Sequence, residues 1–183
     1  ATAAVVGLSA CNDYLDKEPQ DKLIPENYFT SADNLKAYTL NYYTILPSHS
    51  DNAYGLGTFS SDNGTDNQAG RSASSRFAPG EWRVGSGNDN WGFGNIRGLN
   101  YFLEYAQPNY DAGNITGAQA QIDQAMGEAH FFLAYTYWAG YQAIGDYPIL
   151  DGVLPDDKEI TLEASKRKPR NQVARYILDP VSY

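Results

Sequence analysis

Apolar residues keep a helical rhythm at both ends of this chain and lose it in between. Pro25 suits the first turn of a short helix through Phe29, and Ser31 then stands as an N-cap ahead of Leu35, Tyr38, Tyr42 and Leu46, spaced by three and four. Pro47 stops that helix. From about Ser48 to Asn90 the rhythm gives way to Gly, Ser, Asn and Asp, most densely in Ser61-Asp62-Asn63-Gly64-Thr65-Asp66-Asn67 and Ser86-Gly87-Asn88-Asp89-Asn90. A connection this long more often serves a function than a shorter one does. A second helix is predicted from Trp91 to about Tyr105, with Ile96, Asn100, Leu103 and part of Tyr101 on neighbouring faces, before Pro108 ends it.

The third helix carries the strongest pattern. With Thr116 as N-cap and an end near Ala143, it places Ile122, Met126, Ala129, Leu133, Tyr137, Gly140 and Ile144 on one stripe. From Phe131 onward, Phe132, Tyr135 and Trp138 widen that stripe until the helix is apolar nearly all round, so neighbours must cover it on several sides. Gly127 and Gly140 each cost roughly 1 kcal/mol against alanine inside a helix, so close backbone packing is expected at both. Gly145-Asp146-Tyr147-Pro148 supplies the stop. A fourth helix, Pro169 to Leu178, carries Val173, Tyr176 and Ile177 on one face, and the basic Lys166-Arg167-Lys168 before it reads as a solvated turn. The pattern is that of an all-α fold with long irregular loops. Of the tryptophans, Trp91 and Trp138 fall on helix faces and read as core.

Ahead of these helices the chain opens on Ala1-Thr2-Ala3-Ala4-Val5-Val6-Gly7-Leu8-Ser9-Ala10, small and apolar, which gives way after Cys11 to Asn12-Asp13. That is how a secretory h-region meets its cleavage site, and Leu8-Ser9-Ala10-Cys11 resembles the bacterial lipobox. Cys11 is therefore expected to be the lipidated mature N-terminus, tethering the protein to a membrane through its acyl chains. Leu15-Asp16-Lys17-Glu18-Pro19 follows as an extended leader.

Composition narrows the function classes. The 183 residues carry 22 acidic and 13 basic side chains, a net charge of −9, which argues against a phosphate-tracking nucleic-acid surface. One cysteine and two histidines do not make a disulfide framework or a structural zinc set. The Asp62–Asn67 run is rich in oxygen but lacks the ligand spacing and distal Glu of an EF-hand. No cofactor is expected. Glu128 and Asp146 are the tempting pair for glycoside hydrolysis, but 18 positions of mostly helix separate them by roughly 25 Å, well beyond the span of such a pair. Ser72-Ala73-Ser74-Ser75 lacks the strained Gly-x-Ser-x-Gly turn, and His49 and His130 have no triad-type neighbours in the sequence. No catalytic residue is expected.

Tyr, Phe and Trp make up 14% of the chain, with Asn and Gly abundant around them, a composition suited to sugar faces. Rings face the apolar C–H side of a pyranose while Asn, Asp and Arg bind its hydroxyls. The loop supplies these groups together: Asp62, Asn67, Arg71, Arg76, Trp82, Arg83 and Asn90, with Trp82 the first choice because it stands among Gly and Pro, away from any helical stripe.

Cys11-Asn12-Asp13-Tyr14-Leu15-Asp16 and Pro19, then Phe29 and a Tyr-rich helix, Trp91 with Ile96 and Asn100, and Glu128-Ala129-His130-Phe131 leading to Gly145-Asp146-Tyr147-Pro148 resemble the SusD/RagB family over almost the whole chain. The most specific piece is Glu128-Ala129-His130-Phe131-Phe132-Leu133-Ala134-Tyr135-Thr136-Tyr137-Trp138, which departs from the family pattern at Leu133, usually arginine; Pro180 is a second departure. The resemblance implies tetratricopeptide-like helix pairs and an outward-facing outer-membrane lipoprotein of the Bacteroidetes. Such a protein captures oligosaccharides and lids a SusC-like TonB-dependent transporter. Because members are commonly much longer, it also implies that residues 1–10 are a signal-peptide remnant, 11–24 anchor and leader, and 25–183 the N-terminal part of a larger helical domain. The other class the residues leave open is a helical-repeat adaptor lipoprotein binding a protein or peptide, although no repeat near 34 residues is found.

Overall fold

The structure is a computed structural model that describes residues 25–47 and 91–178. Helices account for most of these: α1 (Pro25–Tyr28), α2 (Ala32–Thr39), a 3₁₀ stretch (Leu40–Ile45), α3 (Gly94–Asp111), α4 (Gln119–Ala143), α5 (Lys158–Ala164) and α6 (Arg170–Leu178). Among the described residues the only extended pairings are two isolated bridges, Ser31 with Thr116 and Tyr147 with Lys168. The chain is all-α in these parts, as its pattern predicts.

The centre is α4, packed against α2, α3 and α6. Its predicted stripe is the core face: Ile122, Met126, Ala129, Leu133, Tyr137 and Gly140 are buried, and Ile144 at its end is half-buried. Leu35 from α2, Ile96, Leu99 and Phe102 from α3, and Val173 from α6 close on it with no exposed surface. Phe29 anchors the entry to α2 by meeting Tyr38 and Phe102 edge to face at 5.3 and 5.1 Å, the offset geometry that ring quadrupoles favour.

Several boundaries differ from the sequence reading, each for a local reason. Ser31 does cap α2, accepting from the Asn34 N–H at 3.3 Å, but the α-helix tightens to 3₁₀ from Leu40, where β-branched and aromatic residues crowd the turn. Trp91 precedes α3 instead of opening it. Pro108 lies inside α3, close to its end; it removes one backbone bond from the Glu104 carbonyl, and both residues are exposed to water. Thr116 is not the cap of α4. Its N–H donates to Thr30 O at 2.9 Å and its carbonyl accepts from Ala32 N–H at 2.8 Å, so its backbone is held extended and α4 begins at Gln119, with Ala118 as an N-cap lacking a side-chain bond. The short α5 has no counterpart in the predicted elements. Asp157 caps it through Glu159 N–H and Ile160 N–H, both at 2.9 Å, yet none of its residues is buried, so it carries no apolar stripe.

The two glycines of α4 part company. A Cβ on Gly140 would sit 2.8–3.1 Å from the ring of Tyr147, whereas one on Gly127 would meet nothing within 4 Å. Gly140 thus lets the turn after α4 fold back on it. Gly145 takes the positive φ of that turn, 94°, as helix stops often require. Tyr147 lies on Gly140, Trp91 stacks on Tyr147 with 5.6 Å between ring centroids and an angle of 7°, and the Arg167 guanidinium covers Trp91 at 4.8 Å. The basic run is therefore not wholly solvated: Arg167 closes this pile, and Lys168 exchanges backbone hydrogen bonds with Tyr147.

These contacts make opposite forecasts for the same chemical change. Gly140→Ala should destabilise the protein by about 1–2 kcal/mol, because overpacking against Tyr147 outweighs the gain in helix propensity. Gly127→Ala should stabilise it by about 0.5–1 kcal/mol. Denaturant titration of both variants checks this; a Gly140→Ala variant stabilised as much as Gly127→Ala would mean that Tyr147 does not rest on the helix.

Candidate functional site

The loop residues proposed to meet a ligand, Asp62, Asn67, Arg71, Arg76, Trp82, Arg83 and Asn90, lie outside the described residues, as do the lipidation candidate Cys11 and the whole of segments 1–10 and 11–24. What the structure does display is a cleft of about 580 Å³ between α3 and the chain from Leu150 to Thr161. That is within the range ordinary for small-molecule sites. Phe93, Arg97 and Asn100 line it from the α3 side, following a spacing of four and three that sets them on one face of the helix.

The opposite wall is pinned to the core. Asn100, itself buried, donates its amide to Leu150 O at 2.8 Å and Gly152 O at 3.0 Å. The Tyr137 hydroxyl accepts from Leu150 N–H at 2.9 Å, and Glu104 accepts from Val153 N–H at 3.2 Å. Burial pushes the Tyr137 phenol well above its ordinary range, so it stays a neutral hydroxyl in this role. Leu150, Leu154 and Pro155 give this wall its apolar part, and Asp156 and Thr161 its polar part. Among the described residues neither Arg97 nor Asp156 has an ion-pair partner, although both face the same cleft. Sequence reasoning missed Arg97, Asp156 and Thr161. The spacing Arg97, Asn100, Glu104 was the available signal, because it runs a polar stripe along α3 beside the apolar one.

The two carboxylates that invite a hydrolase reading are occupied with holding helices together. Glu128 accepts from Thr39 Oγ1 and Tyr43 Oη, each at 2.7 Å, and from Gln124 Nε2 at 2.8 Å, joining α4 to α2 and the 3₁₀ stretch. Partial burial alone would raise its carboxyl; donation from Tyr43, Thr39 and Gln124, with Lys36 nearby, outweighs that and holds it below its ordinary value. Asp146 accepts from Arg170 N–H at 2.8 Å and so caps α6. His130 sits half-buried on α4, and desolvation lowers its pKa.

One sector of α4 is not covered by the described residues. Phe131 and Trp138 are 48% and 44% exposed, and with Tyr135 they fall at i, i+4 and i+7 along the helix, opposite the core stripe. Trp138 is thus exposed, against the core position read from its place on the helix, because no described element packs on that side of α4. Its ring stacks on Tyr141 at 5.6 Å, and Phe131 stacks on Tyr135 at 6.0 Å. Trp91, by contrast, is half-buried in the pile on Tyr147.

Among the described residues no group of three or more His, Cys, Asp or Glu is placed to hold a metal ion, and no helix is long and apolar enough to cross a membrane. Compared with known proteins, the chain matches no family model, no curated protein and no solved structure.

The Glu128 node sets a pH signature. Because its folded-state pKa is depressed, its contribution is present above the ordinary value of 4.5 and is lost as pH falls through the folded value. Glu128→Ala should cost about 1–3 kcal/mol at neutral pH, as expected for hydrogen bonds to a charged acceptor. The gap between wild type and variant should narrow below pH 4.5 in denaturant titrations, and a gap independent of pH would remove the ionised carboxylate from the account.

Proposed function

We propose that this chain belongs to a surface lipoprotein of the SusD/RagB type, anchored in the outer membrane through Cys11, that captures oligosaccharide and passes it to a SusC-like TonB-dependent transporter. The cleft beside α3 is the observation that carries the capture reading. It offers one aromatic ring, Phe93, with Arg97, Asp156 and Thr161 around it, on walls fixed by Asn100, Tyr137 and Glu104 before any ligand arrives. Pre-formed walls reduce the ordering a ligand must drive, and a mixed ring and hydrogen-bonding surface matches the two-faced chemistry of a pyranose. The transporter partner and the outer-membrane location rest on the resemblance of the Glu128–Trp138 and Gly145–Pro148 motifs.

A protein or peptide ligand is the second reading. The uncovered face of α4 with Phe131 and Trp138 favours it, because exposed aromatic patches are common where partners dock. Replacing both by Ser should leave glycan affinity unchanged if the cleft is the site, and should abolish binding if the protein is an adaptor.

Calorimetry against a panel of neutral and acidic oligosaccharides, with chromatography of the same mixtures, tests the main proposal. Saturable binding with every glycan recovered intact is expected; cleaved product would overturn capture without catalysis. The anchor is tested separately. A fatty-acid analogue should label the wild type in cells and fail to label Cys11→Ser, and equal labelling of the two would remove Cys11 as the lipid site.

A further inference from the structure

We propose that the sugar this cleft takes carries a carboxylate, so that the ligand is a uronic-acid-containing oligosaccharide held by Arg97. The inference rests on the capture reading and narrows it to a ligand class. Two observations and one chemical rule lead there. Arg97 and Asp156 face one cleft and, among the described residues, neither is neutralised by an ion pair, an arrangement that leaves a fork of donors and an acceptor open to a ligand. A guanidinium binds a carboxylate through two parallel hydrogen bonds, which fixes orientation as well as affinity. Arg97 is exposed and one helical turn from Asn100, whose amide nitrogen is already taken by Leu150 O and Gly152 O. The cationic function of the site therefore falls to Arg97.

The balance of charge selects a monoanion. With Arg97 positive and Asp156 negative, the lining has no net charge, so a doubly charged phosphate would meet one cation and one repelling carboxylate. A uronate sorts itself between the two: its carboxylate turns to Arg97, its hydroxyls donate to Asp156 and exchange with Thr161, and its C–H face lies against Phe93. The chain as a whole carries −9, so an acidic glycan reaches this cleft through a specific group and not through bulk attraction.

The test uses trisaccharides that carry a single galacturonate, glucuronate or mannuronate residue, their methyl esters and an uncharged trisaccharide, titrated into the full chain and into Arg97→Gln and Arg97→Lys. At least one of these singly acidic trisaccharides should bind about tenfold or more tightly than its ester, as loss of a charged hydrogen-bonded pair implies. Arg97→Gln should bring the acid down to the level of the ester, Arg97→Lys should recover part of the difference, and added salt should weaken only the acid. Circular dichroism checks that the variants fold. Esters or uncharged sugars binding as well as the acids, with Arg97→Gln unchanged, would overturn the uronate assignment and leave capture standing. An acidic peptide bound through Arg97 while all sugars fail would overturn both, and no binding of any glycan by wild type would defeat capture itself.

Discussion

Everything in the described part of this chain turns on covering one helix. From Phe131 onward α4 carries apolar side chains on so much of its circumference that it cannot stand with a single neighbour, and the fold packs α2, α3 and α6 against it. Each cover is attached by a polar tie at its edge. Thr39 and Tyr43 bind Glu128, Asn100 and Tyr137 hold the irregular chain at Leu150, and Asp146 caps α6. Burial drives the assembly, at roughly 25 cal/mol for each Å² of apolar surface removed from water, while these ties fix which face meets which.

This division explains why the most suggestive acidic residues are structural. A carboxylate that receives three hydrogen bonds, as Glu128 does, is held ionised and in place, and it has few lone pairs left for a substrate. Asp146 is likewise committed to a backbone N–H at the start of α6. The motif that spans them marks a packing solution: a long helix, a glycine that admits Tyr147 onto its surface, and a turn whose left-handed residue is Gly145. Reading such a motif as catalytic because it contains acids confuses the joints of the fold with its chemistry.

How far the sequence disclosed this depends on the range of the interaction involved. The stripe from Ile122 to Gly140 and the cap at Ser31 were legible because both follow from local geometry, the helical period and a side chain reaching the next turn. Thr116 misled because its competitor lay 86 residues away, at Thr30. Trp138 misled because helical position says which side a ring occupies and not whether another element covers that side. Gly127 and Gly140 look alike in sequence and differ only through Tyr147, so no local rule separates them. The proposed loop residues, Trp82 first among them, lie outside the described residues, and their reading still rests on composition.

The cleft was hidden for the same reason, and its form bears on what it does. Its α3 wall follows the regular spacing of one helix, but the facing wall is irregular chain whose position comes from Asn100, Glu104 and Tyr137, side chains of two different helices. A wall placed in this way moves only if these hydrogen bonds break, which is costly where the group left unpaired is buried, as the Asn100 and Tyr137 side chains are. A ligand in this cleft would therefore meet a surface shaped by the same interactions that cover α4. Such a site owes selectivity to the few groups the fold leaves unpaired, and among the described lining residues the charged ones are Arg97 and Asp156. On the capture reading, changing either would alter what the cleft prefers without loosening its walls, because the ties that hold them come from Asn100, Tyr137 and Glu104.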